Sequence, residues 1–494
     1  MSDTPYEVII GLEVHVQLQT RSKLFCRCST RFGAPPNTQT CPVCIGLPGA
    51  LPVMNREAFH LALKTAVALD CEIPAFTKWD RKNYYYPDLP KGYQISQYDL
   101  PLSRHGYLEI SDAKGSFPSK RVRILRAHLE EDAGKSMHDE LAGKADSRID
   151  LNRTGTPLLE IVSEPDIRSP QEAKAFLTEL KLLLSYLDVS DCNMQEGSLR
   201  VDANINLHIS TAAGVVATPI VEVKNMNSFR AVERALAFEA ERQFESWRET
   251  GQKKGDVPKQ TRGWDDQAQM TRGQRHKEES SDYRYFPDPD LVPVCVTPEQ
   301  VAQVRQSLGE LPSALRARLE KVHGLDPYDA DVIVNQGRGL VAYFETVAQR
   351  IGDGKRASNW IQQDVMRSLN ERNLTIEGFP ASADSLAELL LAVQRQELDN
   401  TRAKEVFQRI VETGCSVSDA MQALGIARVD RSTLIALCRE ILAANPKALA
   451  DLRDGKQKAV GALIGQARQR NANVNPGQAK ETFLQLAAEA DATQ

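Results

Sequence analysis

From Val8 to Gln19 every even position is apolar (Val8, Ile10, Leu12, Val14, Val16, Leu18), and the odd positions from Gly11 onward are small or polar. A period of two predicts a strand with one face in a core and the other carrying Glu13, His15 and Gln17. The alternation recurs from Leu199 to Ile209, with Arg200, Asp202, Asn204 and Asn206 on one face, and from Pro219 to Lys224, which leads into a helical pattern from Phe229 to Trp247. Together these strands predict an antiparallel sheet whose exposed face is crowded with charges and amides. The rest of the first 295 residues reads as strands between Pro- and Gly-rich turns, with few helices, and the charged stretch 250–282 reads as a mobile hairpin or loop. After Pro298 the period changes. Leu386, Leu389, Leu390 and Val393 stand at helical spacing, and helices are expected from Val301 to about Glu412. The predicted class is therefore α+β: an antiparallel-sheet domain over 1–295, an all-α domain over 296–412, and a small helical tail over 413–494.

Several domains suit a chain of 494 residues, too long for one compact core. No apolar run approaches the roughly 18 residues that cross a bilayer, and the start lacks the basic and apolar regions of a signal peptide. The expectation is a cytoplasmic protein with no membrane partner. A net charge of −5 gives no global attraction to nucleic acid, so any RNA contact depends on local basic patches. One such patch runs from Lys447 to Lys480, where seven basic residues, among them Lys456, Lys458, Arg468 and Arg470, face only Asp451 and Asp454. The same composition also describes a solvated helical face.

Four of the nine cysteines, Cys26, Cys28, Cys41 and Cys44, fall in one loop-rich stretch, 26–44. Two closely spaced pairs separated by twelve residues match the ligand spacing of a zinc site, and four thiolates would fill a tetrahedral ion completely. Such a zinc is structural, because no position is left for water or substrate. Cys71, Cys192, Cys295, Cys415 and Cys438 are scattered in apolar surroundings and are expected to be reduced core thiols.

The chemistry must then lie elsewhere. Glu13 and His15 point the same way from one strand. The acidic stretches His128–Ser136 and Leu158–Asp166 add candidates, among them Glu131 and Glu160, the latter set between apolar neighbours where an unpaired carboxylate is costly. Oxygen ligands with an imidazole suit Mg²⁺ or Mn²⁺, ions that commonly bridge to phosphate, which points to phosphoryl transfer. No phosphate-binding P-loop is present, since Leu129 stands where Gly134-Lys135-Ser136 would require a glycine. Lys82 and Lys91, in the Tyr-rich stretch 80–94, could meet phosphate charge, or that stretch could be an ordinary packed surface loop.

Several long segments, IGLEVHVQL (10–18), DRKNYYYPDLPKGYQISQ (80–97), HLEEDAGKS (128–136), DLNRTGTPLLEIVSEPDIRSP (150–170), EGSLRVDANIN (196–206) and DYRYFPDPDLVP (282–293), together resemble the B subunits of the aspartyl/glutamyl-tRNA(Asn/Gln) amidotransferases. The segment 455–466 resembles that family's helical C-terminal module. The resemblance implies a sheet cradle similar to the glutamine synthetase catalytic core. It implies ATP-dependent phosphorylation of the side-chain carboxylate of Glu-tRNA(Gln), Asp-tRNA(Asn) or both, followed by amidation with ammonia. It further implies an Mg²⁺ site made by Glu13, His15, Glu131 and Glu160, phosphate contacts from Lys82 and Lys91, and a heterotrimer with a glutamine-hydrolysing A subunit and a small C subunit. The four cysteines occur in only some members of that family, which fits a local brace. Two other classes stay open at this point: a tRNA-binding scaffold without catalysis, and a metal-dependent hydrolase using the same ligands.

Overall fold

The period-two stretches of the sequence become the centre of one large sheet. The computed structural model describes residues 6–138, 147–274, 283–427, 429–453 and 458–489. It divides into two units, Met1–Leu315 and Arg316–Gln494. In chain order the strands of the first unit begin with β1 (Tyr6–Gln17), β2 (Phe76–Thr77), β3 (Asp80–Asn83), β4 (Tyr93–Ser96), β5 (Ser103–Ile110), β6 (Lys120–Glu131), β7 (Lys135–His138) and β8 (Ser147–Asp150). They continue with β9 (Pro157–Ser163), β10 (Leu199–Thr211), β11 (Gly214–Ala217), β12 (Val221–Lys224), β13 (Gln260–Asp265), β14 (Met270–Gly273), β15 (Phe286–Pro287) and β16 (Val294–Cys295).

The large sheet runs β14-β13-β12-β10-β1-β9-β6-β5, with β11 attached to β10. Every pairing in it is antiparallel except β12 with β13, which is parallel. The sheet is thus mixed, where the alternation alone predicted an antiparallel one. The reason is the helix Phe229–Thr250 between those two strands, since a parallel pair needs a crossover connection.

Three helices cover the apolar face: α1 (Arg56–Ala68), α2 (Pro170–Tyr186) and α3 (Phe229–Thr250). Each begins at a side-chain cap, Asn55, Ser169 and Ser228 respectively, whose oxygen accepts from the first-turn amides. Phe176, Leu180 and Leu184 of α2 and Val232 and Leu236 of α3 pack with Ile10, Leu12, Val14 and Val16 of β1 in one core. α1 and α2 were not anticipated from the sequence.

A further helix, α4 (Pro298–Ser307), belongs to this unit because Val304 and the following Leu308 are buried in the same core. The unit therefore extends beyond the expected boundary at 295. Part of the stretch expected to be a mobile hairpin or loop, 250–282, is the β13–β14 hairpin of the main sheet, and residues 275–282 lie outside the described residues.

The second unit is helical throughout its described residues. Near its end the helices Arg431–Ala444, Lys458–Arg470 and Pro476–Glu489 enclose their own cluster, in which Leu434, Cys438, Ile441, Leu463 and Phe483 are buried. No described helix is long and apolar enough to cross a membrane. No cysteine forms a disulfide, and of the five scattered ones, all expected in the core, only Cys71, Cys192 and Cys438 are buried. Cys295 is exposed and Cys415 half-exposed.

Candidate active site

The face of the sheet opposite the helices carries a row of polar residues in register. Arg200 of β10 lies opposite His15 of β1, His15 opposite Glu160 of β9, and Glu160 opposite His128 of β6. In the next row Asp202 lies opposite Glu13. His15 is the hub. Its Nε2 stands 3.4 Å from Glu160 Oε2, 3.6 Å from Glu130 Oε1 and 3.7 Å from Glu13 Oε1. His128 Nε2 lies 3.6 Å from the same Glu160 oxygen.

Two overlapping ligand sets result, each with its donor atoms within 4.8 Å of one another: His15 with Glu130 and Glu160, and Glu13 with His15 and Asp202. Lys224 forms an ion pair with Asp202 at the edge of the second set.

The electrostatics show a site with more negative charge than it can comfortably hold. Burial pushes the Glu130 carboxyl up to about 7, reinforced by the neighbouring Glu160 and only partly opposed by His15 and Lys82. Burial acts the same way on Glu160, but His128, the hydrogen bond with His15 and the charges of His15 and Lys82 outweigh it and hold that carboxylate low. Burial would lower His15, yet Glu160, Glu130 and Glu13 raise it to about 9. Burial dominates at His128, which falls to about 4 and is a neutral imidazole with an unpartnered Nδ1. A divalent cation answers this arrangement: it would take the place of the shared protons, and carboxylate oxygens with imidazole nitrogen are the donor set of Mg²⁺ or Mn²⁺.

Of the residues expected in the site, Glu13, His15 and Glu160 are brought together. Glu131 is not. It lies on the opposite side of β6, where its Oε2 pairs with Lys91 and accepts a hydrogen bond from the Ile95 amide at 3.1 Å. The cause is a bulge in β6 between Ile124 and Arg126. Before it Val122 and Ile124 face the core, and after it Ala127 and Leu129 do. This switch of parity sends Arg126, His128 and Glu130 to the polar face and Glu131 inward.

Lys82 stays with the cluster: its charge acts on Glu130, Glu160 and His128, and its Nζ sits 4.9 Å from the Tyr283 ring centre and 5.8 Å from that of Tyr84. Lys91 does not, being committed to Glu131. Sequence reasoning missed Glu130, His128 and Asp202 as parts of the site. The available signal was the i, i+2 spacing of His128 with Glu130, the same spacing as Glu13 with His15.

The Tyr-rich stretch is neither a free loop nor a simple surface. β3 pairs with β15 on one side and β4 on the other in a small sheet, and Gln94 Nε2 of β4 donates to the Glu131 carbonyl at 2.6 Å, fastening that sheet to the end of β6. The rings of Tyr98 and Tyr285 stack at 4.1 Å, and Tyr283 and Tyr84 meet edge to face.

The four cysteines 26, 28, 41 and 44 bring their sulfurs within 4.8 Å of one another. A tetrahedral zinc with bonds of about 2.3 Å would separate its sulfurs by about 3.8 Å, so the group fits that ion. Hydrogen bonding with Cys26 leads the causes that hold the Cys44 thiol at about 4, joined by the Cys41 amide and the Lys23 charge, against burial. Lys23 is fully buried, its Nζ 2.7 Å from the Gln39 carbonyl oxygen and 3.6 Å from Cys44 Sγ.

In the tail, Arg468 pairs with Asp399 at 3.5 Å and Arg470 with Glu440 at 2.5 Å. Lys458 opens the helix Lys458–Arg470, and Lys456 lies outside the described residues.

Residues 8–302 match the GatB/GatE catalytic domain and residues 342–486 match the GatB domain. The B subunit of the aspartyl/glutamyl-tRNA(Asn/Gln) amidotransferase of Rhodopirellula baltica is 58% identical, across 98% of this chain and 97% of its own length. That of Moorella thermoacetica is 48% identical, across 96% and 98%. That of Thermodesulfovibrio yellowstonii is 43% identical, across 98% and 100%. The acidic and histidine cluster and the four cysteines all fall inside the segment matched to the catalytic domain. The chain belongs to the family of aspartyl/glutamyl-tRNA(Asn/Gln) amidotransferase B subunits.

Proposed function

We propose that this chain activates the side-chain carboxylate of Glu-tRNA(Gln), Asp-tRNA(Asn) or both at the His15 cluster, using ATP, and that ammonia then converts the activated acid to the amide. A carboxylate is a poor electrophile. Transfer of the γ-phosphoryl group to its oxygen releases ADP, and attack by ammonia on the carbonyl carbon expels phosphate and leaves the amide. The observation that carries this reading is the convergence of His15, Glu130 and Glu160, with Glu13 and Asp202 beside them, on the polar face of the matched catalytic segment.

Glu13, His15, Glu130, Glu160 and Asp202 would hold Mg²⁺, which supplies charge neutralisation to the phosphates when bound. Glu130 takes the part expected of Glu131. Lys82, whose charge already acts on Glu130 and Glu160, would meet phosphate charge, while Lys91 and Glu131 would serve the site only indirectly. Cys26, Cys28, Cys41 and Cys44 would hold a structural zinc. The sheet with its polar face is read as a cradle of the glutamine synthetase kind.

Ammonia would come from a glutamine-hydrolysing A subunit, with a small C subunit completing a cytoplasmic heterotrimer. The tail, through Lys456, Lys458, Arg468 and Arg470, would contact tRNA phosphate. The test is ADP release by the reconstituted complex supplied with ammonia and ATP. Release that depends on a misacylated tRNA supports the reading. Release independent of tRNA would indicate a hydrolase, and no release at all a scaffold.

A further inference from the structure

The cysteine loop and the acidic cluster meet at one buried ion pair. Glu131, the last residue of β6, follows Glu130 directly and points to the other side of the strand. Its Oε2 is held by Lys91 and by the Ile95 amide, and its carbonyl accepts from Gln94. Both side chains of the pair are deeply buried, with 5% of Lys91 and 4% of Glu131 exposed.

The cysteine loop approaches Lys91 directly and Glu131 by way of Gly155. Gly46, two residues after Cys44, lies so close to Lys91 that a Cβ there would sit 2.5 Å from Lys91 Cγ. On the other side, a Cβ on Gly155 would sit 3.4 Å from Glu131 Oε1, 3.6 Å from Cys44 Cβ and 3.7 Å from Lys23 Cδ. Gly155 also accepts from the Leu24 amide at 2.9 Å and donates to the Asp132 carbonyl at 2.8 Å, so it links the segment before Cys26 to the residue after Glu131.

We propose that the cysteine loop sets the affinity of the His15–Glu130–Glu160 cluster for its cation through the Lys91–Glu131 pair. Lys91 and Glu131 are positioning residues: they fix the end of β6, and with it the direction in which Glu130 presents its carboxylate. Without them the inward side of the strand end loses its ion pair, and Glu130 loses its aim. The proposal rests on the cation reading of that cluster given above.

The experiment is a Mn²⁺ titration of the full chain in its complex, followed by electron paramagnetic resonance and counting only the binding that Glu160→Gln abolishes, with zinc content measured in parallel. Lys91→Met is expected to weaken Mn²⁺ binding about 10- to 100-fold while zinc content is unchanged, the size typical of losing an outer-sphere support. Stripping zinc from the wild type is expected to weaken Mn²⁺ by a similar factor, but to add less than about twofold in Lys91→Met, because the same route is already broken.

Unchanged Mn²⁺ affinity in Lys91→Met, or a zinc effect of equal size in both proteins, overturns the coupling. A wild type that carries no zinc overturns it as well. Should Lys91→Met not fold, Glu131→Gln breaks the same ion pair from its other side without altering a cysteine or a residue of the His15 cluster. It is expected to weaken Mn²⁺ by about tenfold with zinc retained, and unchanged affinity there is equally fatal. Absence of any Glu160-dependent Mn²⁺ site in the wild type would instead reject the cation reading itself.

Discussion

Glu130 and Glu160 flank the same imidazole, yet their replacement by glutamine is expected to change stability in opposite directions. Glu130 carries its carboxyl at about 7, raised from an ordinary value near 4.5, so above pH 4.5 the folded protein holds a proton that the unfolded chain has released. Stability from this group therefore falls as pH rises from 4.5 to 7, and at pH 7.5 the ionised form costs the fold up to about 3 kcal/mol. An amide of the same shape removes that cost. Glu130→Gln should raise the melting temperature of the cation-free protein by about 3–6 °C.

Glu160 is held below its ordinary value by His15, His128 and Lys82, so its charge favours the fold. Glu160→Gln should cost about 1–3 kcal/mol, the worth of hydrogen bonds to a charged group. On the proposed cation site both variants would lose a ligand, and both should reduce tRNA-dependent ADP release by about 100-fold or more. The assay pairs differential scanning calorimetry, without added divalent cation, with ADP release by the assembled complex. A Glu130→Gln protein that melts lower than wild type and still releases ADP would refute this account of the site.

Three further outcomes are expected. His15 titrates at about 9 in the fold, above its ordinary 6.5, so its contribution is complete below pH 6.5 and lost as pH rises toward 9. Melting temperature without added cation should fall across that window while Mn²⁺ binding strengthens, because a ligating imidazole must be neutral; titrations at pH 6.5 and 9 check both. Cys41→Ser should remove zinc and lower thermal stability more than turnover, since structural zinc supplies roughly 10 kcal/mol or more of binding free energy to the fold, and metal analysis with melting curves reads it. Arg468→Glu with Arg470→Glu should weaken tRNA binding about tenfold and flatten its salt dependence, with stability changed by no more than about 1 kcal/mol, because both residues sit in surface ion pairs.

How much of this was legible depended on whether the strands kept their period. β1 and β10 do, and Glu13, His15, Arg200 and Asp202 could be assigned to one face from sequence alone. β6 does not. Its bulge at 124–126 exchanges the two faces midway, so extending the alternation of Val122 and Ile124 puts Glu131 on the polar side and Glu130 in the core, the reverse of what is found. The clue was in the chain: apolar Ala127 and Leu129 are out of phase with Val122 and Ile124, and Leu125 between them is 41% exposed. The parallel β12–β13 pair was likewise foreshadowed by the helix between the two strands. The pairing of Lys91 with Glu131 was not legible, because it depends on β4 folding across the end of a strand 36 residues away from Ile95. The cysteine cluster was the most readable feature, since ligand spacing in a loop carries its geometry with it.

The central claim is that this chain activates a carboxylate carried by tRNA. ADP release by the reconstituted complex, given ATP, Mg²⁺ and ammonia with Glu-tRNA(Gln), Asp-tRNA(Asn) or uncharged tRNA, tests it most directly. ADP that appears only with one or both misacylated tRNAs is the predicted result and names the substrate. ADP release indifferent to the aminoacyl group, or none at all, would contradict it.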